Sequence, residues 1–418
     1  MTAQRTPPLT GVTVLELGSF MAAPFAAMQL ADLGAEVIKV EHPAGGDPVR
    51  QTGPFLDTES SPFVRINRHK RSVALDLKSP DARPAFLRLV ERADVLIENL
   101  RPGAMRRLGL GHQELRRINP RLVYASASGW GQDGPLADLP GLDIMAQARS
   151  GLMSITGHPG GPPAKVGVPI CDLVCGLYLA LAVTAALRER DRSGTGQHID
   201  VSLFEAGVSF AVWEAGKYFA TGEVGGPLGS AHQSNAPYQA VHSGDGYVTI
   251  GAITPRNWRA FCHTLGLTRL LEDPRYADAF SRLQNRAELI ETIEAVTSTL
   301  STAEIVERLN RAGVPCAPIA DYGEVFTDEH LTARGFFWDA PHPTLGPVRQ
   351  LGSPMRLSET PLRRSAAGPV LGADTRQVLL AAGCSAAEID HLVASGAALT
   401  EDVGDPTTSP AVTTTPRR

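Results

Sequence analysis

A chain of 418 residues, 43% hydrophobic and 20% charged, has the composition of a soluble globular protein of about two to three domains, or of one large split domain. Its net charge of −5 excludes a bulk attraction to nucleic acid or to an anionic membrane, which leaves a small ligand as the natural partner. The five cysteines are odd in number and form no C-x-x-C pair, which excludes a disulfide framework and a zinc site and points to the cytosol. The first residues, MTAQRTPPLTG, lack a basic segment followed by an apolar one, so no signal peptide is expected.

In chain order, 11–17 (GVTVLEL) is rich in β-formers, 24–33 has helical periodicity ended by Gly34, and 36–41 (EVIKVE) is a second strand. Strand, helix and strand within ~30 residues make a βαβ unit and imply a parallel sheet. Glu41 stands at the distance of a ribose-binding acid. The intervening loop, GSFMAAP, nevertheless lacks the second and third glycines that let backbone approach a pyrophosphate, so a dinucleotide site is rejected. Arg65, Arg68, Lys70 and Arg71 then crowd the approach to a strand at 72–77. Such a cluster is either a solvated loop or a site for a multiply phosphorylated ligand, because clustered cations make charge-assisted bonds to phosphate.

A helix at 81–93 leads to a strand at 94–97, followed by Asn99, Arg101, Pro102 and Gly103 at the carboxyl end, where open α/β sheets hold ligands. A strand at 122–126 ends in SGWGQDGP, and a helix follows at 140–151. Residues 165–190, KVGVPICDLVCGLYLALAVTAALRER, then set one acid, Asp172, at the mouth of about four apolar helical turns. That acid either caps the helix or is a reactive carboxylate kept ionised by the helix dipole. The apolar run 173–187 is shorter than the ~20 residues that span a bilayer and contains Gly176, so it reads as a core helix. A strand at 198–203 and a helix at 204–218 complete the first part of a Rossmann-like, parallel-sheet α/β domain, 1–220.

A glycine-rich connector at 222–237 precedes strands at 238–242 and 247–251, joined by a Ser-Gly-Asp-Gly hairpin signal. Helices at 257–265, 286–300 and 302–311, the last with a capping box from Ser301 to Glu304, belong to a smaller α+β domain. With the linker this domain spans 221–325. A strand at 315–321, a helix at 325–333, strand-like residues at 346–352 and helices at 374–382 and 386–394 lead back into the large domain, 326–400, which is therefore discontinuous in sequence. The tail, 401–418, has no apolar period and is expected to be disordered.

Several ordered blocks share one pattern: GVTVLELGSFMAAPFAAMQLADLGAEVIKVEHPAGGDPVR, NRHKRSVALDLK, ADVLIENLRPGAMRRLGL, NPRLVYASASGWGQDGP, SGLMSITGHPGGPPAKVGVPICDLVCGLY and RSGTGQHIDVSLFEA, with GVPCAPI, HLTARGFF and LGADTRQVL further on. In these blocks, from residue 9 to about 398, the chain resembles the family III CoA transferases, the CaiB/BaiF group that includes formyl-CoA and carnitine CoA transferases.

The resemblance implies that Asp172 is a nucleophile. Its carboxylate attacks an acyl-CoA thioester, expels CoA thiolate and leaves an acyl-aspartyl anhydride; the thiolate then attacks the aspartyl carbonyl, releases the donor acid and leaves an aspartyl-CoA thioester. An incoming acid reverses the sequence. Donors for the oxyanions are expected from the helix start after Asp172 and from the loop at 225–235. The resemblance further implies CoA contacts at His42, Leu75, Lys78, Asn99, Leu100, Arg101 and Arg107, and active-site contacts at Met21, Leu142, Asp143 and His232. Met21 stands where formyl-CoA transferase has a glutamine, and Pro140 and Leu142 replace its lysine and tyrosine, which argues against oxalate and formyl-CoA as substrates. Asp143 matches a position often acidic in the family.

CoA and acyl-CoA then enter as substrates with a small carboxylic acid. Neither a metal nor a tightly bound cofactor is expected, nor a nucleic-acid or membrane partner, and the family's assembly is an interlocked, cytoplasmic homodimer. One alternative is an α-methylacyl-CoA racemase-type isomerase, which needs a histidine and an aspartate to exchange a proton. In this chain the matching place reads Gly141-Leu142-Asp143, and leucine moves no proton. The other alternative is a non-catalytic CoA-binding protein, which needs the basic loops but no nucleophile.

Overall fold

The computed structural model describes residues 5–401; the tail from 402 on, expected to be disordered, lies outside the described residues. The chain divides into two compact units. One takes the residues up to Leu152, Val166–Gly216 and the chain from Leu331 on, and the other takes Met153–Lys165 and Lys217–His330.

The first unit is built on a seven-stranded sheet. Strands β1 (Thr13–Leu17), β2 (Glu36–Glu41), β3 (Lys70–Leu75), β4 (Val95–Glu98), β5 (Val123–Ser128) and β6 (His198–Ser202) run parallel in the order β3-β2-β1-β4-β5-β6. The short strand Ala398–Leu399 adds antiparallel to β3, an edge the sequence pattern did not reveal. The order reverses between β1 and β4, which makes their carboxyl ends the switch point of a doubly wound sheet. Because both faces are covered, the central strands read as nearly continuous apolar runs. Leu15, Ile38, Val40 and Leu96 pack under helices Ala82–Arg92, Thr375–Ala381 and Ala386–Ala394, while Val14, Val37, Val95 and Ile97 pack under helices α1 (Ala22–Asp32) and α3 (Ile170–Ser193). Helix α2 (Asp143–Arg149) packs against the start of α3.

Helix α3 has 24 residues, with a mean hydropathy of 2.1 over its most apolar stretch, so it is long and apolar enough to cross a membrane. One side of it is committed to the sheet, through Cys171, Val174, Cys175, Leu179, Val183 and Leu187. Near its end, Arg190 donates to the Asp94 carboxylate at 2.8 Å, immediately before β4. The end of α3 therefore lies at the amino edge of the sheet, and its first turn, with Asp172, lies at the carboxyl edge. Gly176 sits where α3 meets α1: a Cβ there would fall 2.8 Å from the Ala22 carbonyl oxygen and 3.0 Å from Phe25 Cδ1. The expected helix at 204–218 is two helices, Leu203–Val208 and Val212–Thr221. The first is held against α3 at Gly207, where a Cβ would lie 2.9 Å from Cys171 Sγ.

The basic cluster before β3 is corrected by the fold. Arg68 makes two bonds to Asp32, at 2.8 and 2.6 Å; Lys70 Nζ lies 2.7 Å from Glu16; and Arg71 pairs with Glu36 and Asp374 at 2.8 and 3.1 Å. Arg65 bonds to Ser61. These cations are used inside the fold, so they form neither a solvated loop nor a phosphate site. The strand begins at Lys70 rather than at Ser72, which carries Lys70 into the interior.

The second unit has a three-stranded antiparallel sheet, the hairpin Tyr238–Ser243 and Gly246–Gly251 joined by Cys316–Pro318. Helices Pro255–Thr264, Arg286–Thr297 and Thr302–Arg311 close over it with Trp258, Phe261, Leu289, Ile293 and Leu309. The Ser301–Glu304 capping box is formed in full. Arg282, 1% exposed, donates to the carbonyls of Ala236, Tyr276 and Ile253 and lies over Trp258.

The contact at Gly176 leads to a prediction. Gly176→Ala forces a methyl group into backbone and is expected to lower unfolding free energy by about 1–3 kcal/mol in denaturant titration. Gly216→Ala, in a helix with no atom near the added carbon, is expected to be neutral or slightly stabilising.

Candidate active site

The loops at the carboxyl edge follow the strands in order. Met21 comes after β1, His42 directly after β2, Lys78 three residues after β3, and Asn99, Leu100 and Arg101 directly after β4. Neighbouring strands are ~4.8 Å apart, so these residues are gathered along one rim. Asn99 ties the switch point together: its Oδ1 accepts from the Ser19 N–H, and its Nδ2 donates to the Ser19 carbonyl, both at 2.9 Å. The Leu100 N–H donates to Glu98 at 2.8 Å. His42 is exposed, with Nδ1 accepting from the Ala44 N–H at 3.0 Å and Nε2 3.7 Å from Asp76. Leu75 is the exception, because its side chain is 1% exposed inside the core.

Lys78, Arg101, Arg106 and Arg107 are all exposed on this rim, and among the described residues none of them makes an ion pair. Arg107 belongs to the turn Ala104–Arg107, which opens on Gly103 at φ 78°. A Cβ on Gly103 would lie 3.2 Å from Arg107 Nη1, so glycine both takes the left-handed conformation and leaves room for the guanidinium.

Beneath the rim lies a set of buried charges, of which the sequence pattern singled out Lys70 but neither Glu16 nor Lys39. Glu16 on β1 accepts from Lys39 on β2 and faces Lys70 on β3, each nitrogen 2.7 Å away. Lys39 also donates to the Gly18 carbonyl at 2.7 Å and lies 3.0 Å from Asp47, and Lys70 donates to the Pro24 carbonyl at 2.9 Å. Burial opposes the charge on Lys39, but Glu16, Asp47 and Glu41 outweigh it and raise its pKa; burial brings Lys70 down to about 8. The loop so held passes through Phe20 at φ 60°, a strained conformation for an aromatic residue.

Asp172 stands half-buried in the first turn of α3. The cap of that helix is supplied from outside. Asp143, the first residue of α2, accepts from the Cys171 N–H at 2.8 Å and the Asp172 N–H at 3.3 Å through one oxygen, and its other oxygen accepts from Gln147 Nε2 at 2.6 Å. Gln147 Oε1 in turn accepts from the Val166 N–H at 2.9 Å. The Asp172 carboxylate is thereby left without capping duty. Burial first, and then the Asp143 charge, push its pKa up to about 7. Two expectations change: the dipole does not hold this carboxyl fully ionised, and the first N–H groups of α3 are already occupied rather than free for an oxyanion. Burial pushes the Cys171 thiol up to about 11, so the neighbouring cysteine remains a thiol. Leu142, 65% exposed, stands directly before Asp143 with its apolar side chain in the open.

His232 belongs to the second unit and has local duties. Its ring stacks on Tyr238 at 4.9 Å, its Nδ1 accepts from the Ser234 N–H at 3.0 Å, and its carbonyl accepts from Arg286. Glu98, the last residue of β4, is a candidate site residue that sequence reasoning missed. It is 4% exposed, and burial pushes its carboxyl up to about 7. It lines a cavity of ≈ 220 Å³ with Arg101, Arg106, Tyr124, Gln132 and His198. The signal was available in ENLRPG: an acid closing a strand that is buried on both faces.

Comparison with known proteins agrees with this architecture. The model of CoA-transferase family III matches residues 9–375. The succinate–glutarate CoA-transferase of Agrobacterium fabrum is 37% identical over 382 residues, covering 90% of this chain and 96% of its own. The succinyl-CoA:glutarate CoA-transferase of Mus musculus is 38% identical over 373 residues, 89% of this chain and 86% of its own. The crystal structure of a CaiB/BaiF family protein from Brucella suis superposes with a TM-score of 0.82 at 36% identity, covering 91% of this chain and all of that one. With a parallel sheet that ends in this rim, and an aspartate at the start of the helix behind it, the chain belongs to CoA-transferase family III and is a CoA transferase.

Proposed function

We propose that this enzyme transfers CoA through covalent intermediates on Asp172. The observation that carries the proposal is the separation of roles between two aspartates: Asp143 takes the N–H groups of Cys171 and Asp172, and Asp172, the third residue of the helix, keeps both oxygens for chemistry. The ionised Asp172 attacks the donor's thioester carbonyl; the C–S bond breaks, CoA leaves as thiolate, and an anhydride remains. The thiolate attacks the aspartyl carbonyl, the donor acid leaves with its carboxylate charge, and the aspartyl thioester holds CoA. The acceptor carboxylate then repeats the two steps in reverse and leaves as the new acyl-CoA, with Asp172 restored. An acid is required because an anhydride keeps the acyl group activated, whereas a serine ester would not.

The unpaired cations Lys78, Arg101 and Arg107, with His42, Asn99 and Leu100, fit a substrate that carries phosphates, since guanidinium and ammonium groups make charge-assisted bonds to phosphate oxygens. CoA is substrate here, and no tightly bound cofactor enters the scheme. The similar proteins from Agrobacterium and mouse are named for succinyl and glutarate chemistry, so succinyl-CoA is proposed as donor and a short dicarboxylate as acceptor. Apolar Met21 and exposed Leu142 would then border the acyl group. The open side of α3 supports a second copy as partner: Leu177 and Leu181 are 50% and 64% exposed. We propose an interlocked homodimer covering this face, in the cytosol, where the five unpaired cysteines stay reduced.

Incubation with succinyl-CoA is expected to leave a covalent adduct on Asp172 that intact-protein mass spectrometry detects. Asp172→Asn is expected to form none and to lose at least about a thousandfold in kcat; full activity in that variant would sink the mechanism. Because the carboxylate is the attacking form and its pKa is about 7, kcat/KM is expected to rise with pH up to about 7 and level off above it. Asp143→Asn removes a like charge and is expected to move that inflection to lower pH. Light scattering is expected to give twice the 44.4 kDa chain mass; a monomer, or a chain recovered only with membranes, contradicts the dimer.

A further inference from the structure

Helix α1 begins at the carboxyl rim and rises about 16 Å over its 11 residues, so its last residue, Asp32, lies at the opposite, amino edge of the sheet. There it borders a cavity of ≈ 340 Å³, within the range of about 300–1,000 Å³ of small-molecule sites. Five arginines line this cavity, Arg68, Arg334, Arg356, Arg363 and Arg364, against one carboxylate, Asp32. Both oxygens of Asp32 accept from Arg68 in a buried pair, which leaves the other four guanidinium groups without a counter-charge in the wall.

Three of the four are oriented by carbonyls instead, and the fourth, Arg334, supplies one of those carbonyls from its backbone. Arg363 donates to the Ala35 and Gly34 carbonyls at 2.8 and 2.7 Å, and Arg364 donates to the Gly335 carbonyl at 2.7 Å. Arg356 donates to the Arg334 carbonyl. A carbonyl fixes a guanidinium without neutralising it. Among the described residues none of the four makes an ion pair, and Glu359, beside the wall, is paired with Arg5. Like charges gathered in this way repel one another, and an anion is what relieves the repulsion. The planar guanidinium fork matches phosphate and carboxylate oxygens.

We propose that this cavity is a second ligand site, separate from the Asp172 rim, for a small polyanion bearing two or more phosphate or carboxylate groups. One monoanion would leave most of the charge uncompensated, which is why at least two anionic groups are specified. Calorimetric titration of the full-length protein with pyrophosphate and with citrate, at constant ionic strength, tests the assignment. Saturable binding at one site per chain is expected with at least one probe, and which probe binds more tightly tells phosphate from carboxylate recognition. R334Q/R356Q is expected to weaken binding about tenfold or more while basal CoA transfer is retained, R334K/R356K to keep part of it, and R101Q/R107Q to leave it unchanged. Absence of saturable binding of both probes, as when a second copy of the chain covers the cavity, overturns the assignment; so does binding that survives R334Q/R356Q or is lost in R101Q/R107Q.

Discussion

The arrangement of the rim depends on one buried carboxylate. Glu16 and Lys39 are direct partners in register on adjacent central strands, and both are 0% exposed. Charges taken out of water at the centre of a sheet are costly unless each finds a partner, and losing one partner leaves the other stranded. Glu16 finds two lysines, and those lysines use their remaining donors on the carbonyls of Gly18 and Pro24. The path of the loop after β1, and the point where α1 starts, follow from those two bonds. The start of α1 in turn sets the height at which Gly176 admits α3, and Asp172 stands one helical turn before that glycine.

The helix start at Asp172 shows how a local rule is satisfied by a distant residue. First-turn N–H groups need an acceptor, and aspartate is a preferred one. Here the acceptor is Asp143, on another helix, which leaves the first-turn aspartate itself uncommitted. The arrangement has an electrostatic consequence, since two carboxylates meet at one helix end and the more confined of them, Asp172, has its pKa raised. A half-buried carboxyl group titrating near neutrality beside a second charge is the kind of perturbed group that marks a candidate functional site.

The arginines sort into two populations with opposite uses. Arg68 and Arg71 are matched to carboxylates and hold the chain together, whereas Arg101 and Arg107 on the rim and Arg334, Arg356, Arg363 and Arg364 at the other edge are matched to none. A cation that the fold itself neutralises contributes to structure, and one that the fold positions without neutralising is available to a ligand. The same distinction separates the two sides of α3, where one face is packed in the sheet and the other leaves Leu177 and Leu181 open.

Much of this was legible in the residues. Periodicity placed β2 and the helices Thr302–Arg311 and Ala386–Ala394 at their observed bounds, and the strand–loop–helix repeat placed the loops that follow the strands along one edge of a parallel sheet, because periodicity and turn chemistry act within a few residues of chain. The family motifs carried Asp172 and the residues of the rim. What the sequence could not state is which charges would be used up, because that depends on partners brought together only by folding: Asp32 is 36 residues from Arg68, Asp374 is 303 from Arg71, and Asp143 is 29 from the N–H of Asp172. In the sequence, Arg65 to Arg71 and Arg101 to Arg107 look alike. Only the tertiary structure, by setting carboxylates beside one group and leaving the other exposed on an open rim, decided which cations the fold neutralises and which it leaves without a counter-charge.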